Sequence, residues 1–226
     1  MKKIVILLVL FFVFSGAEAK NREKRHFSEF HSVYFFGNIH VELVKSDSNY
    51  AILSSNEVLD LGSVTTELKK GRLFIRNTGI GDAKTLKLIL YYKYLDEIIA
   101  KAGVELESKE VFNAEDFNLR LSKGAEAHIK VKNKRLKAIV IQGSGLHISG
   151  YAHNVEVSTN TGGIFHGFNL KVKEAKLRSV AGGKIDILMD GKMEASANTG
   201  GMIYYKGEAK IVSQKVSTGG IIEKQK

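Results

Sequence analysis

The chain has 226 residues, 34 Lys and Arg against 24 Asp and Glu for a formal net charge of +10, and no Cys, Pro or Trp. The missing cysteine excludes disulfides and attachment through a lipoprotein cysteine. The positive balance attracts polyanions in a salt-screened, sequence-independent way. No zinc spacing or helix-turn-helix pattern accompanies it, so no specific nucleic-acid reader is expected. The same lysines also keep exposed strand edges from pairing with other chains.

Residues 1–19 read as a signal peptide: Lys2 and Lys3 start it, Ile4 to Phe14 is an apolar run of 11, and Ala17-Glu18-Ala19 is a small-x-small cleavage site. A membrane-crossing helix needs roughly 20 apolar residues, so this run is too short to span, and no membrane span or lipid anchor is expected. Cleavage near Ala19 leaves 207 of the 226 residues, and losing Lys2, Lys3 and Glu18 leaves +9. The destination is then the periplasm or the cell exterior of a bacterium.

Residues 20–96 form an N-terminal β head. Ile39 to Val44, Arg72 to Arg76 and Thr85 to Tyr92 alternate apolar with polar residues, the pattern of strands with one buried face. Asp47-Ser48-Asn49 and Lys69-Lys70-Gly71 supply turns. Residues 56–68 fit a short helix or a strand.

Residues 97–226 repeat a glycine phrase. Its clearest copies are Thr161-Gly162-Gly163, Ala181-Gly182-Gly183, Thr199-Gly200-Gly201 and Thr218-Gly219-Gly220, whose second glycines are 20, 18 and 19 residues apart. Looser copies stand at Ala102-Gly103, Lys123-Gly124 and Gly143-Ser144-Gly145. A period near twenty with alternating stretches between the glycines predicts an all-β, single-domain, right-handed β-solenoid with rungs of about 20 residues, continuous with the head. Two or three short strands would fill each turn. The paired glycines read as structural corners, where a stacked chain needs positive φ and no Cβ. Thr161, Thr199 and Thr218 read as ladder-forming corner residues. Neither a phosphate loop nor calcium-binding nonapeptides fit, since only Gly182-Gly183-Lys184-Ile185-Asp186 faintly resembles the latter.

His128, His147 and His166 are 19 and 19 residues apart, close to the rung period, so they would stack as a column able to bind a transition metal or sense pH. Rungs about 4.8 Å apart keep one ion from all three without side-chain bending. A solvated histidine face is the simpler reading, and no metal or cofactor is assigned. His31 and His40 have no partner at such a spacing. Asp186, Asp190 and Glu194 read as an acidic run in the repeats, but one period on, at 204 to 210, only Glu208 is acidic and no Gly-x-Ser-x-Gly elbow occurs, so no catalytic residue is expected.

The head segment Phe30 to Val44, the stretch Leu59 to Val64 with Glu67 to Ile75, and Leu86 to Ile98 leading into Ala102-Gly103-Val104 resemble the secreted bacterial head GIN domain family, grouped as auto-transporter adhesins. The resemblance spans about residues 27 to 222 and departs at Ser46, Lys93-Tyr94 and Ala102-Gly103-Val104. It implies a β-solenoid of exported proteins and carries no catalytic residues. The expected role is a non-catalytic binding module for envelope or extracellular glycan, including anionic glycan, or for an envelope protein. A structural or assembly component of the cell envelope is the alternative, with a polysaccharide-acting enzyme third. The stretch from 97 to 226 leaves no room for a membrane barrel of many ten-residue strands.

Overall fold

The computed structural model describes residues 21–55, 63–79 and 86–226, with the backbone alone for Asn21. The leader expected at 1–19 and the first half of the ambiguous 56–68 segment lie outside them. The head comprises β1 (Asn21–His26), β2 (Ser32–Phe36), β3 (His40–Lys45), β4 (Tyr50–Ser55), β5 (Val64–Lys69), β6 (Arg72–Asn77) and β7 (Lys87–Tyr92). Beyond it come β8 (Glu97–Lys101), β9 (Glu105–Phe112), β10 (Asp116–Ser122), β11 (Glu126–Ile141), β12 (Gly145–Asn160), β13 (Ile164–Val180), β14 (Lys184–Asn198), β15 (Met202–Ser217) and β16 (Ile221–Lys224). No α-helix occurs among the described residues, and so none is long and apolar enough to cross a membrane.

From β11 to β15 each turn is one strand of 15 to 17 residues bent in the middle, instead of two or three short ones. The cause is one fault in the alternation. In β11, Ala127, Ile129, Val131 and Asn133 are buried, Lys134 and Arg135 are both exposed, and Leu136, Ala138 and Val140 are buried again. Two outward residues in succession switch the inner face, so the two halves of the strand stand on opposite walls of one core. The first half pairs in parallel with β9 and the second with β10. Asn133, buried at the bend, donates its amide to the carbonyls of Phe112 (3.3 Å) and Ala114 (2.7 Å) one turn back.

Both walls therefore grow by parallel pairing, Glu126 to Gly145 and Arg135 to Asn154 at one step, and so on to β15, with register shifts inside the β12–β13, β13–β14 and β14–β15 pairs. A single cluster of buried side chains runs from Phe30 to Ile203. Each fully buried Leu, Ile or Phe in it contributes about 1.5–3 kcal/mol.

The corners between one rung and the next explain the glycine phrase. Thr161 (φ 49) and Gly162 (φ 71) are both left-handed, and Gly163 N–H donates to Asn160 carbonyl at 3.0 Å, the geometry of a type I′ turn. Ala181-Gly182, Thr199-Gly200 and Thr218-Gly219 repeat it. The second glycine has a different constraint: a Cβ on Gly163 would lie 2.0 Å from the Val140 carbonyl oxygen of the rung beneath. The ladder assigned to the threonines is built by main chain instead. Gly162 N–H donates to Ala181 carbonyl (3.3 Å), Gly182 to Thr199 (3.3 Å) and Gly200 to Thr218 (3.1 Å), whereas the Thr161 hydroxyl stays in its own turn on Asn160 Oδ1. At the Lys123-Gly124-Ala125 corner the third residue has a Cβ, and Ala125 N–H donates to Ser144 Oγ one rung on.

The head is not stacked in chain order. β2 lies between β6 and β8 on one wall, and β3 lies between β7 and β9 on the other, so the first rung of the chain is the second rung of the stack. Antiparallel β1 and β4 extend past β7, and β5 pairs antiparallel with β6, which finishes this end. The far end is half covered: β16 pairs with Met202–Tyr205, while Ile211, Val212 and Val216 on the other half of β15 are exposed.

Candidate functional site

In-register parallel strands stack identical positions, and on the outer face of the first wall this stacks the histidines. Glu107, His128, His147, His166 and Asp186 form one column. The His128 and His147 rings lie 4.3 Å apart and 3° from parallel, and those of His147 and His166 4.4 Å apart at 19°. Beside it runs a second column of Glu105, Glu126, Gly145, Ile164 and Lys184, with His40 in register with Glu105.

Gly145 decides how the two columns meet. With no side chain between Glu126 and Ile164, the Glu126 carboxylate leans across to His147 Nε2 at 3.0 Å. A Cβ at 145 would stand 2.6 Å from both Glu126 oxygens. Glu126, His128 and His147 thus bring one donor atom each within 4.8 Å of one another.

His166 is drawn the other way. Its Nδ1 faces Asp186 Oδ2 at 3.4 Å, and the same oxygen takes Lys184 Nζ at 3.0 Å. Asp186 is 3% exposed although its position points outward. The register of β13 against β14 jumps from Gly167 to Lys171, so three extra residues bulge beside it. A depression of about 370 Å³ there is lined by the three histidines, Phe168 and Asp186.

His40, which had no partner by spacing, joins the array: its Nδ1 lies 3.4 Å from Glu105 and its Nε2 3.5 Å from Glu107. A second depression of about 790 Å³ is lined by His40, Glu105, Glu107, Glu126 and His128, so His128 borders both. His31 stands apart and pairs with Asp96 at 3.1 Å.

The outer face of the second wall carries a groove of about 960 Å³ running along the axis. Asp116, Arg135, Asn154, Glu174, Lys192 and Lys210 line one side, with Asn118, Lys137, Glu156, Lys176 and Glu194 on the other. Cross-rung pairs connect Arg135 to Asp116, Lys137 to Glu156 (3.3 Å) and Lys192 to Glu174 (3.3 Å). The Arg135 guanidinium, bonding Asp116, holds that carboxyl below the usual range. Among the described residues Lys176 and Lys210 have no ion-pair partner. The six rungs span roughly 24 Å at about 4.8 Å each.

The acidic run does not assemble. Asp186 is held by Lys184 and His166, Asp190 sits at the bend between Lys173 (2.8 Å) and Lys171 (3.1 Å), and Glu194 belongs to the other wall. Hydrogen bonds from Lys173 and Lys171 lower the Asp190 pKa, the opposite of what a general acid needs.

The family described as "Putative auto-transporter adhesin, head GIN domain" matches residues 29–209. Among solved structures, a putative adhesin from Bacteroides fragilis superposes with a TM-score of 0.80 at 14% identity, over 92% of this chain and 98% of that one. A putative adhesin from Parabacteroides distasonis gives 0.72 at 17% identity, over 93% and 98%. A putative lipid binding protein from the same organism gives 0.69 at 16%, over 93% and 98%. At these identities the likeness is one of fold. No curated protein matches the sequence.

Proposed function

The chain belongs to the head GIN domain family of putative auto-transporter adhesins, and from that premise we propose that it is an exported, non-catalytic module that binds an extended envelope or extracellular glycan. The observation that carries this reading is the second-wall groove, which offers a rung-spaced series of donors and acceptors along roughly 24 Å. A linear polymer with its own short repeat can meet such a ladder at several successive rungs, so weak contacts add through multivalency. Lys176 and Lys210, with no acidic partner among the described residues, favour anionic sugars, and the net charge of +9 left after cleavage near Ala19 raises the encounter rate. An envelope protein presenting an extended segment is an alternative occupant of the same groove. Residues 1–19 supply the export signal in this reading.

A glycan array probed at low and high salt tests it. Binding to a narrow set of sugars that persists at high salt and is lost in Lys137→Glu/Lys176→Glu supports the groove. Binding to every polyanion that vanishes with salt would reduce the charge to a solubility device and refute recognition.

A second reading, assembly, has its own observation. Ile211 (40% exposed), Val212 (56%) and Val216 (50%) lie on the half of β15 that β16 does not cover and that no other strand covers among the described residues. Such an edge invites pairing with another chain. Concentration-dependent sedimentation abolished by Val216→Lys would favour this reading, and a monomer at every concentration would end it.

A further inference from the structure

We infer that Glu126, His128 and His147 form a divalent transition-metal site, with zinc the best-matched ion. Such a site stands whether or not the chain is an adhesin. Two imidazoles and one carboxylate are a donor set that borderline ions such as Zn²⁺ accept, with a fourth position left for water or a ligand oxygen. The donors already lie within 4.8 Å of one another, and the Glu126 to His147 pair is at 3.0 Å. A tetrahedral ion with bonds of about 2.0–2.1 Å keeps its donors roughly 3.4 Å apart, so the widest pair closes by on the order of 1 Å.

Three further features point the same way. First, the carboxylates of Glu105, Glu107 and Glu126 have only histidines as ion-pair partners among the described residues, within a chain of +10. Lysines neutralise the carboxylates on either side, Lys109 at Glu42 and Lys184 at Asp186. No lysine or arginine pairs with the Glu105, Glu107 and Glu126 carboxylates among the described residues. Second, Gly145 is the rung position that lets Glu126 reach a histidine of the next rung. Third, His166 is turned toward Asp186, which leaves a two-histidine site in place of the three-histidine column that spacing alone suggests.

Ion binding also alters the stack. Lone pairs on imidazole nitrogen lie in the ring plane, so rings 3° from parallel aim past a shared ion and must tilt toward each other to bind it. The bound state therefore separates the His128 and His147 rings from the parallel arrangement while leaving His166 on Asp186.

The test uses the purified protein without a polyhistidine tag, titrated with Zn²⁺ by calorimetry and with Co²⁺ by visible absorption. One ion per chain is expected, with a tetrahedral Co²⁺ spectrum. His147→Asn and Glu126→Gln each weaken binding by at least about tenfold, and Gly145→Ala does the same by displacing Glu126. His166→Asn leaves affinity within about twofold. Nitrogen shifts of His128 and His147 move on saturation and those of His166 do not. Absence of saturable binding at one ion per chain overturns the proposal, and so does His166→Asn weakening binding as much as His147→Asn. Glu126 and His147 are half exposed, so their variants keep the fold, which circular dichroism verifies.

Discussion

Two adjacent glycines at one corner have different reasons to be glycine, and a pair of substitutions separates them. At Gly162 φ is +71, and no atom lies within 4 Å of the place a Cβ would take. Gly162→Ala therefore meets only backbone strain of about 1–2 kcal/mol, offset by about 0.4–1 kcal/mol of lost unfolded-state freedom. The net cost is about 1 kcal/mol, and Gly162→Asn costs less still. At Gly163 φ is not the obstacle. A Cβ would lie 2.0 Å from Val140 O, 2.5 Å from Val140 C and 2.9 Å from Ile141 N, all main chain of the neighbouring rung. The corner then has to open toward the form at Ala125, giving up the Gly163 to Asn160 bond and straining the Lys184 N–H to Gly163 carbonyl bond at 2.9 Å. Two such bonds are worth about 0.5–1.5 kcal/mol each, and overpacking adds about 1–3 kcal/mol, so Gly163→Ala loses about 2–6 kcal/mol. For a chain of this size that is a fall in Tm of about 4–24 °C, against about 2–4 °C for Gly162→Ala. Thermal and urea unfolding followed by circular dichroism measure both, with hydrogen exchange at Val140 and Ile164 locating the damage. If Gly162→Ala proves as costly as Gly163→Ala, the close-approach argument is wrong.

Thr199, exposed and β-branched at φ +50, holds a conformation that asparagine adopts readily. Thr199→Asn creates the favoured Asn-Gly type I′ pair and is expected to stabilise the fold by about 0.5–1 kcal/mol, read as a raised urea midpoint; a drop would show that the hydroxyl matters. Buried Ser179 accepts from Thr159 Oγ1 (2.9 Å) and Met202 N–H (3.2 Å) and donates to Gly183 carbonyl (2.7 Å). Ser179→Ala strands those partners at about 1–3 kcal/mol or more, and a loss under about 0.5 kcal/mol in urea unfolding would contradict the network. For Glu97, burial alone would raise the pKa, but hydrogen bonds from Ser32 and Arg72 with the Arg72 charge outweigh it and hold the carboxyl below its ordinary 4.5. A depressed folded value stabilises above the unfolded pKa and is lost as pH falls through the folded one. Urea stability is thus expected to decline below about pH 4.5, with Glu97→Gln flattening part of that slope; an unchanged slope would count against the Arg72 pair.

What the sequence makes legible here follows from symmetry. Parallel pairing turns a distance along the chain into a distance along the axis, so residues 19 apart become neighbours 4.3 Å apart, as His128 and His147 do. The same rule exposes the corners, since the second left-handed position is glycine at every one of them and the close approach behind it admits no Cβ at Gly163, Gly183, Gly201 and Gly220. The rule fails where the repeat is broken. His40 meets Glu105, Ser32 meets Glu97 and Lys45 meets Glu110, all at an interval of 65 residues, because β4 to β7 intervene in the chain while β2 and β3 sit directly beneath β8 and β9 in the stack. No period of about nineteen contains that interval, so His40 reads from sequence as isolated. Glu126 is hidden for a second reason: it reaches His147 across 21 residues, on a diagonal between columns that exists only because position 145 has no side chain. The candidate metal ligands are therefore one in-column pair that periodicity reveals and one diagonal partner that only packing reveals. A scan for rung-spaced histidines in relatives of this fold should accordingly look for a glycine flanking the column, one rung past an acidic residue, before looking for a third histidine.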